Sequence, residues 1–154
     1  MYRTEVEQLE EALAPIIEAR NAYLIEVTFK RSKDSSIVEV FIDAETGVTS
    51  ELCTELSREF NTTLESFDFL QGHYSLVVSS PGFDRPLKFP KQYPKHRGHT
   101  LSVKHKEKEN EKVLLTVGEL LEVDKTKIIV KLENDQTKEF TFEEIIEAKV
   151  KPKW

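Results

Sequence analysis

The stretch that constrains this chain most is Ser79-Ser80-Pro81-Gly82-Phe83-Asp84-Arg85-Pro86-Leu87. It closes an alternation of Tyr74, Leu76 and Val78 against Ser75, Val77 and Ser79. That alternation has the two-residue period of a half-buried strand. Pro81 fixes its own φ and biases Ser80 towards extended backbone, while Gly82 permits a positive φ, so Pro-Gly fits the centre of a type II turn. Pro86 keeps Arg85 extended and removes a ladder donor. A strand therefore leaves its sheet through a stiff, shaped exit that carries one acid, Asp84, and one base, Arg85. A structural turn with a local Asp84–Arg85 pair and a binding role are both open, and both can hold.

These nine residues resemble the signature of the ribosome maturation factor RimP family, Ser-Ser-Pro-Gly-Leu-Asp-Arg-Pro-Leu, and depart from it only at Phe83. Val40-Phe41-Ile42-Asp43 with Gly47-Val48-Thr49, and Cys53 followed by Leu56-Ser57-Arg58, are weaker echoes of the same family. The resemblance implies a cytoplasmic, non-enzymatic factor required for assembly of the small ribosomal subunit, acting by binding the immature subunit. Its partners would be ribosomal RNA and a small-subunit ribosomal protein near the decoding centre, with a C-terminal barrel as the docking element. On this reading Ser80, Pro81, Gly82, Asp84, Arg85 and Pro86 are the candidate partner-binding residues. A monomer is expected, with no cofactor.

At 154 residues the chain has room for two small domains. It has no apolar run near the ~18 residues that cross a bilayer, and its first residues lack the apolar core of a leader, so no membrane role is expected. Cys53 is the single cysteine, which excludes an internal disulfide and fits a reduced, cytosolic setting. The net charge of −6 is unevenly spread. Residues 1–80 hold 6 Lys/Arg against 15 Asp/Glu, a net of −9; residues 81–154 hold 16 against 13, a net of +3. Between residues 85 and 106, Arg85, Lys88, Lys91, Lys95, Arg97, Lys104 and Lys106 meet no acid at all. An acidic half joined to a half with a basic entrance points to one polyanion-facing surface, and these seven are the candidate RNA-binding residues. Phe83, Phe89 and Tyr93 among them offer stacking partners.

In chain order, Thr4-Glu5-Val6-Glu7 is a capping box, and Val6, Leu9, Leu13, Ile16 and Ile17 recur at helical spacing, predicting a helix over residues 5–19. Pro15 should kink it or tighten its last turn, and Asn21 is a left-handed cap. Tyr23, Ile25, Val27 and Phe29 alternate on one face of a strand; Ser32-Lys33-Asp34-Ser35-Ser36 is a hairpin loop, and residues 37–43 return with Val38, Val40 and Ile42 inward. Thr49 caps a second helix with Leu52, Leu56 and Phe60 on one face. The order α-β-β-α-β gives an α+β layer domain over residues 1–86. Residues 87–98, with Pro90 and Pro94, read as a semi-rigid connector. Residues 99–154 then show strands only: from Leu101, Val113–Val123 interrupted by Gly118, 128–132, 137–142 and 148–150, with a helical turn at Glu143-Glu144-Ile145-Ile146. This pattern predicts a small SH3-like or Sm-like β-barrel.

No catalytic constellation stands out and no metal site is expected. His96 and His99 are three residues apart in a Pro-rich segment, and Glu55 and Glu59 read as a solvated helix face rather than an acid/base pair. The alternative from another class is a small metal-dependent hydrolase using Asp84 and a histidine.

Overall fold

The computed structural model describes residues 4–32, 34–82 and 85–152. The chain forms two compact units, Met1–Pro81 and Gly82–Trp154.

The first unit opens with helix α1, Glu5–Glu18. Thr4 Oγ1 accepts from the Glu7 amide at 3.1 Å, as the capping pattern predicts. The helix runs through Pro15 and ends in a tightened turn. There Arg20 N–H donates to the Ile17 carbonyl at 3.0 Å, and Asn21 takes φ 59° as the left-handed cap. Strands β1, Tyr23–Arg31, and β2, Ser36–Asp43, form the expected antiparallel hairpin, closed by Arg31 opposite Ser36; Lys33 of its loop lies outside the described residues. Helix α2, Ser50–Leu64, is capped by Thr49, whose hydroxyl accepts from Leu52 N at 3.1 Å. It crosses over to strand β3, Tyr74–Ser79, which lies parallel to β2, so the sheet order is β1-β2-β3. A parallel neighbour requires such a crossover.

Leu9, Leu13 and Ile17 of α1 and Leu56, Phe60 and Leu64 of α2 pack over Val38, Val40 and Ile42 of β2, all of them fully buried. The first strand departs from the simple alternation. A bulge between Leu24 and Glu26 breaks the period, so Leu24, Val27 and Phe29 join this core while Tyr23 and Ile25 are buried away from it. The extra residue of a bulge changes which face the following side chains serve.

The second unit carries strands β4, Thr100–Lys106; β5, Val113–Val123; β6, Lys127–Lys131; β7, Thr137–Thr141; and β8, Ile145–Val150. All five lie in one antiparallel sheet, ordered β7-β6-β5-β4-β8, around Leu101, Val103, Leu120, Ile128, Val130 and Phe140. The α+β class and the five strands agree with the sequence reading, but the barrel does not close. Among the described residues β7 and β8 are the sheet's two edges and do not pair. The helical turn expected at residues 143–146 is also corrected. Only residues 142–144 turn, and Ile145 and Ile146 already belong to β8, drawn in by the pairing with β4. Gly118 is needed for close approach rather than for an unusual φ. A Cβ there would lie 2.6 Å from the Lys131 carbonyl oxygen and closer still to Val130 Cγ1.

Candidate functional site

The signature straddles the division between the two units, and each part takes its geometry from its own side. On the first unit, Ser79 and Ser80 carry the end of β3 to the rim of an open groove of about 590 Å³ between β3 and the start of α2. Val48, Thr49, Cys53, Thr54 and Leu76 share that lining. The groove is a hydroxyl-rich slot with an apolar floor. Burial pushes the Cys53 thiol up, which favours its protonated form. Pro81 is half-buried. Gly82 is exposed with φ 72°, which meets the positive φ expected of Pro-Gly. Arg85 is half-buried and Pro86 exposed. Phe83 and Asp84 lie outside the described residues, and with Asp84 go the proposed local ion pair and the acid of the hydrolase alternative.

Residues 87–98 are built onto the second unit. Leu87 N–H donates to the Ala148 carbonyl at 2.7 Å and Gly98 N–H to the Leu120 carbonyl at 2.8 Å, anchoring both ends of the segment. Pro90 and Pro94 open two short 3₁₀ turns, Pro90–Gln92 and Pro94–His96, where a missing N–H costs nothing. Tyr93 is buried in the second core, its ring edge-on to Phe142 at 5.2 Å, and desolvation raises its phenol to about 12. Gln92 is 1% exposed, and its Oε1 accepts from the amides of Lys88 at 2.7 Å and Phe89 at 2.8 Å. This glutamine holds the basic stretch in shape. No sequence pattern marks it, because a lone glutamine in a polar segment has no period.

The fold brings some of the predicted cations together. The ammonium groups of Lys88 and Lys91 each lie 5.4 Å from the centre of the Phe89 ring, a pair of cation–π contacts on a single aromatic platform. Lys104 and Lys106 are exposed two residues apart on one face of β4. Lys95 is half-buried and Arg97 exposed. His96 and His99 face each other with Nδ1 atoms 3.1 Å apart, so one ring donates and the other accepts. No cluster of three potential metal ligands occurs among the described residues. Glu55 and Glu59 are held by a cation rather than merely solvated. The Arg20 guanidinium spans both, reaching Glu59 at 2.7 Å and bonding Glu55 as well, and so ties α2 to the end of α1.

Residues 12–84 match the family model of the RimP N-terminal domain. These residues thus carry a RimP N-terminal domain. The matched span begins within α1, takes in β1, β2, α2 and β3, and ends inside the Ser79–Leu87 signature. The RimP domain thus contains the α2–β3 groove, whereas the Phe89 platform and β4 lie beyond the match.

Proposed function

We propose that this chain, which carries a RimP N-terminal domain, acts in assembly of the small ribosomal subunit by binding the immature particle, without catalysis and in the cytoplasm. The observation that carries the reading is the RimP-domain match, which runs from within α1 through β1, β2, α2 and β3 into the signature. The charge distribution supports a division of labour. The basic residues between 85 and 106, with the Lys88–Phe89–Lys91 platform among them, offer phosphate contacts and a stacking face for ribosomal RNA. The first half, at −9 over residues 1–80, repels RNA and suits a basic small-subunit ribosomal protein near the decoding centre. Ser80, Pro81, Gly82 and Arg85 are the signature residues proposed to meet that partner, as a monomer.

Co-sedimentation with immature and mature small subunits tests the reading. The protein should travel with the immature particle and be largely absent from the mature one. Equal recovery with both, or with neither, removes the assembly role.

A further inference from the structure

Strand β5 is longer than either of its neighbours, and its first half has only one partner. Residues from Val113 to Gly118 pair with β4, whereas pairing with β6 begins at Glu119 opposite Lys131. Leu120 fixes the direction of the backbone groups: its N–H donates to the His99 carbonyl and its carbonyl accepts from Gly98 N–H, both on the β4 side. The β4–β5 register runs without a shift from Glu119 to Val113, so alternate residues face opposite ways. The N–H and C=O groups of Val113, Leu115 and Val117 therefore point away from β4, where no strand covers them among the described residues. Their side chains are also uncovered, at 47%, 67% and 41% exposure. An uncharged, proline-free, apolar edge of this kind is a template for another strand.

The surroundings select the occupant. Lys106 lies opposite Val113 and Lys104 opposite Leu115, so both lysines stand on the face that carries the exposed apolar side chains. Neighbouring Lys108 and Lys149 pair with Glu144 and Glu147, but Lys104 and Lys106 form no ion pair among the described residues. An added strand would lie two strand spacings from β4, about 10 Å, a gap that a lysine and a glutamate side chain together bridge over Leu115. Along this same edge runs an open groove of about 540 Å³, lined by Leu115, Thr116 and Val117 of β5 together with Leu132, Glu133 and Asn134. Glu133 there disfavours a second acid and leaves Leu132 to meet an apolar side chain. A second copy of this chain would bring the same two lysines against each other and is disfavoured.

We propose that the β5 edge from Val113 to Val117 is a strand-addition site for an extended partner-protein segment alternating acidic and apolar residues. The acids meet Lys104 and Lys106, and the apolar residues enter the groove beside Leu132. Main-chain hydrogen bonds to Val113, Leu115 and Val117 supply the affinity, and the alternation supplies the selectivity. Lys104 and Lys106 also belong to the basic stretch proposed above for RNA, but the strand-addition site takes a protein segment on the β5 backbone and does not rest on the ribosomal reading.

Amide hydrogen exchange on the full chain tests it, with a synthetic alternating valine–glutamate peptide as probe and alternating valine–lysine and oligouridylate as comparisons. The valine–glutamate peptide should slow exchange at Val113, Leu115 and Val117, and binding should weaken by about tenfold in the Lys104→Glu, Lys106→Glu double variant. Leu115→Pro removes one outward N–H without touching the β4 ladder, so it should abolish binding at an unchanged fold. An N-methylated valine–glutamate peptide, which needs no variant, should fail for the same reason. Equal protection by the valine–lysine peptide, or none by the valine–glutamate peptide, overturns the proposal. Protection by oligouridylate alone reassigns this edge to RNA and overturns it too. Loss of subunit co-sedimentation with peptide binding intact would strike only the ribosomal reading.

Discussion

His105 Nε2 lies 2.7 Å from Thr116 Oγ1, a diagonal contact between β4 and β5 beneath the Phe140 ring, whose centre is 4.5 Å from that of the imidazole. His105 is 2% exposed. Burial lowers its pKa, Lys138 lowers it further, and Glu107 and Glu144 oppose them. A histidine held below its ordinary value of about 6.5 binds fewer protons folded than unfolded. Its stabilising contribution is therefore present above about pH 6.5 and is lost as pH falls through the lowered value. Thermal melts of the full chain should show falling stability below about pH 6.5, and His105→Gln should flatten that dependence. An equally steep fall in the variant would place the sensitivity on other groups.

Gly118→Ala should destabilise the second unit. The new methyl meets the Lys131 carbonyl, which is backbone and cannot swing aside. Overpacking of this kind costs about 1–3 kcal/mol. Chemical denaturation followed by a probe in the second unit measures it, and an unchanged midpoint would mean that β6 yields freely.

Gln92→Ala deprives the Lys88 and Phe89 amides of their acceptor. For groups that are only partly buried the cost falls at the low end of the ~1–3 kcal/mol of an unsatisfied donor. The segment should loosen first: amide exchange at residues 88 and 89 should accelerate before the global melting temperature moves. Unaltered exchange there would show that the two prolines suffice to hold it.

Replacing Lys88 and Lys91 together by Gln removes both cations from the Phe89 ring. If each meets one phosphate, the slope of log affinity for immature subunits against log salt should flatten by roughly 1.4–1.8, at about 0.7–0.9 per contact. Phe89→Leu should weaken binding with little change of slope, because stacking is not a counterion effect. An unchanged slope in the double lysine variant would make the docking mainly protein–protein.

The two units should fold apart from each other. Each has its own fully buried core. Fragments 1–81 and 82–154, expressed separately, should each melt cooperatively, and proteolysis of the intact chain should cut near residue 82. Unfolding of both fragments in isolation would count against autonomous domains.

What the residues determined by themselves was local. Helical spacing put Leu9, Leu13 and Ile17 on one face, Thr4 and Thr49 began the helices, Asn21 supplied a left-handed cap and Gly82 took the positive φ that Pro-Gly calls for, because each rests on neighbours within about one turn or on the φ range of one residue. The ordered signature was legible for the same reason. Tertiary structure decided whatever depends on a distant partner. The bulge beside Ile25 answers to the pairing with β2, and Ile145 is strand rather than helix because β4 lies alongside it. Residues 87–98 read as a connector from their prolines, but bonds to Ala148 and Leu120 fasten them to the second unit. The bare edge of β5 is likewise invisible in its own apolar run. An edge is defined by where the neighbouring strand begins, and only the register with β6 sets that.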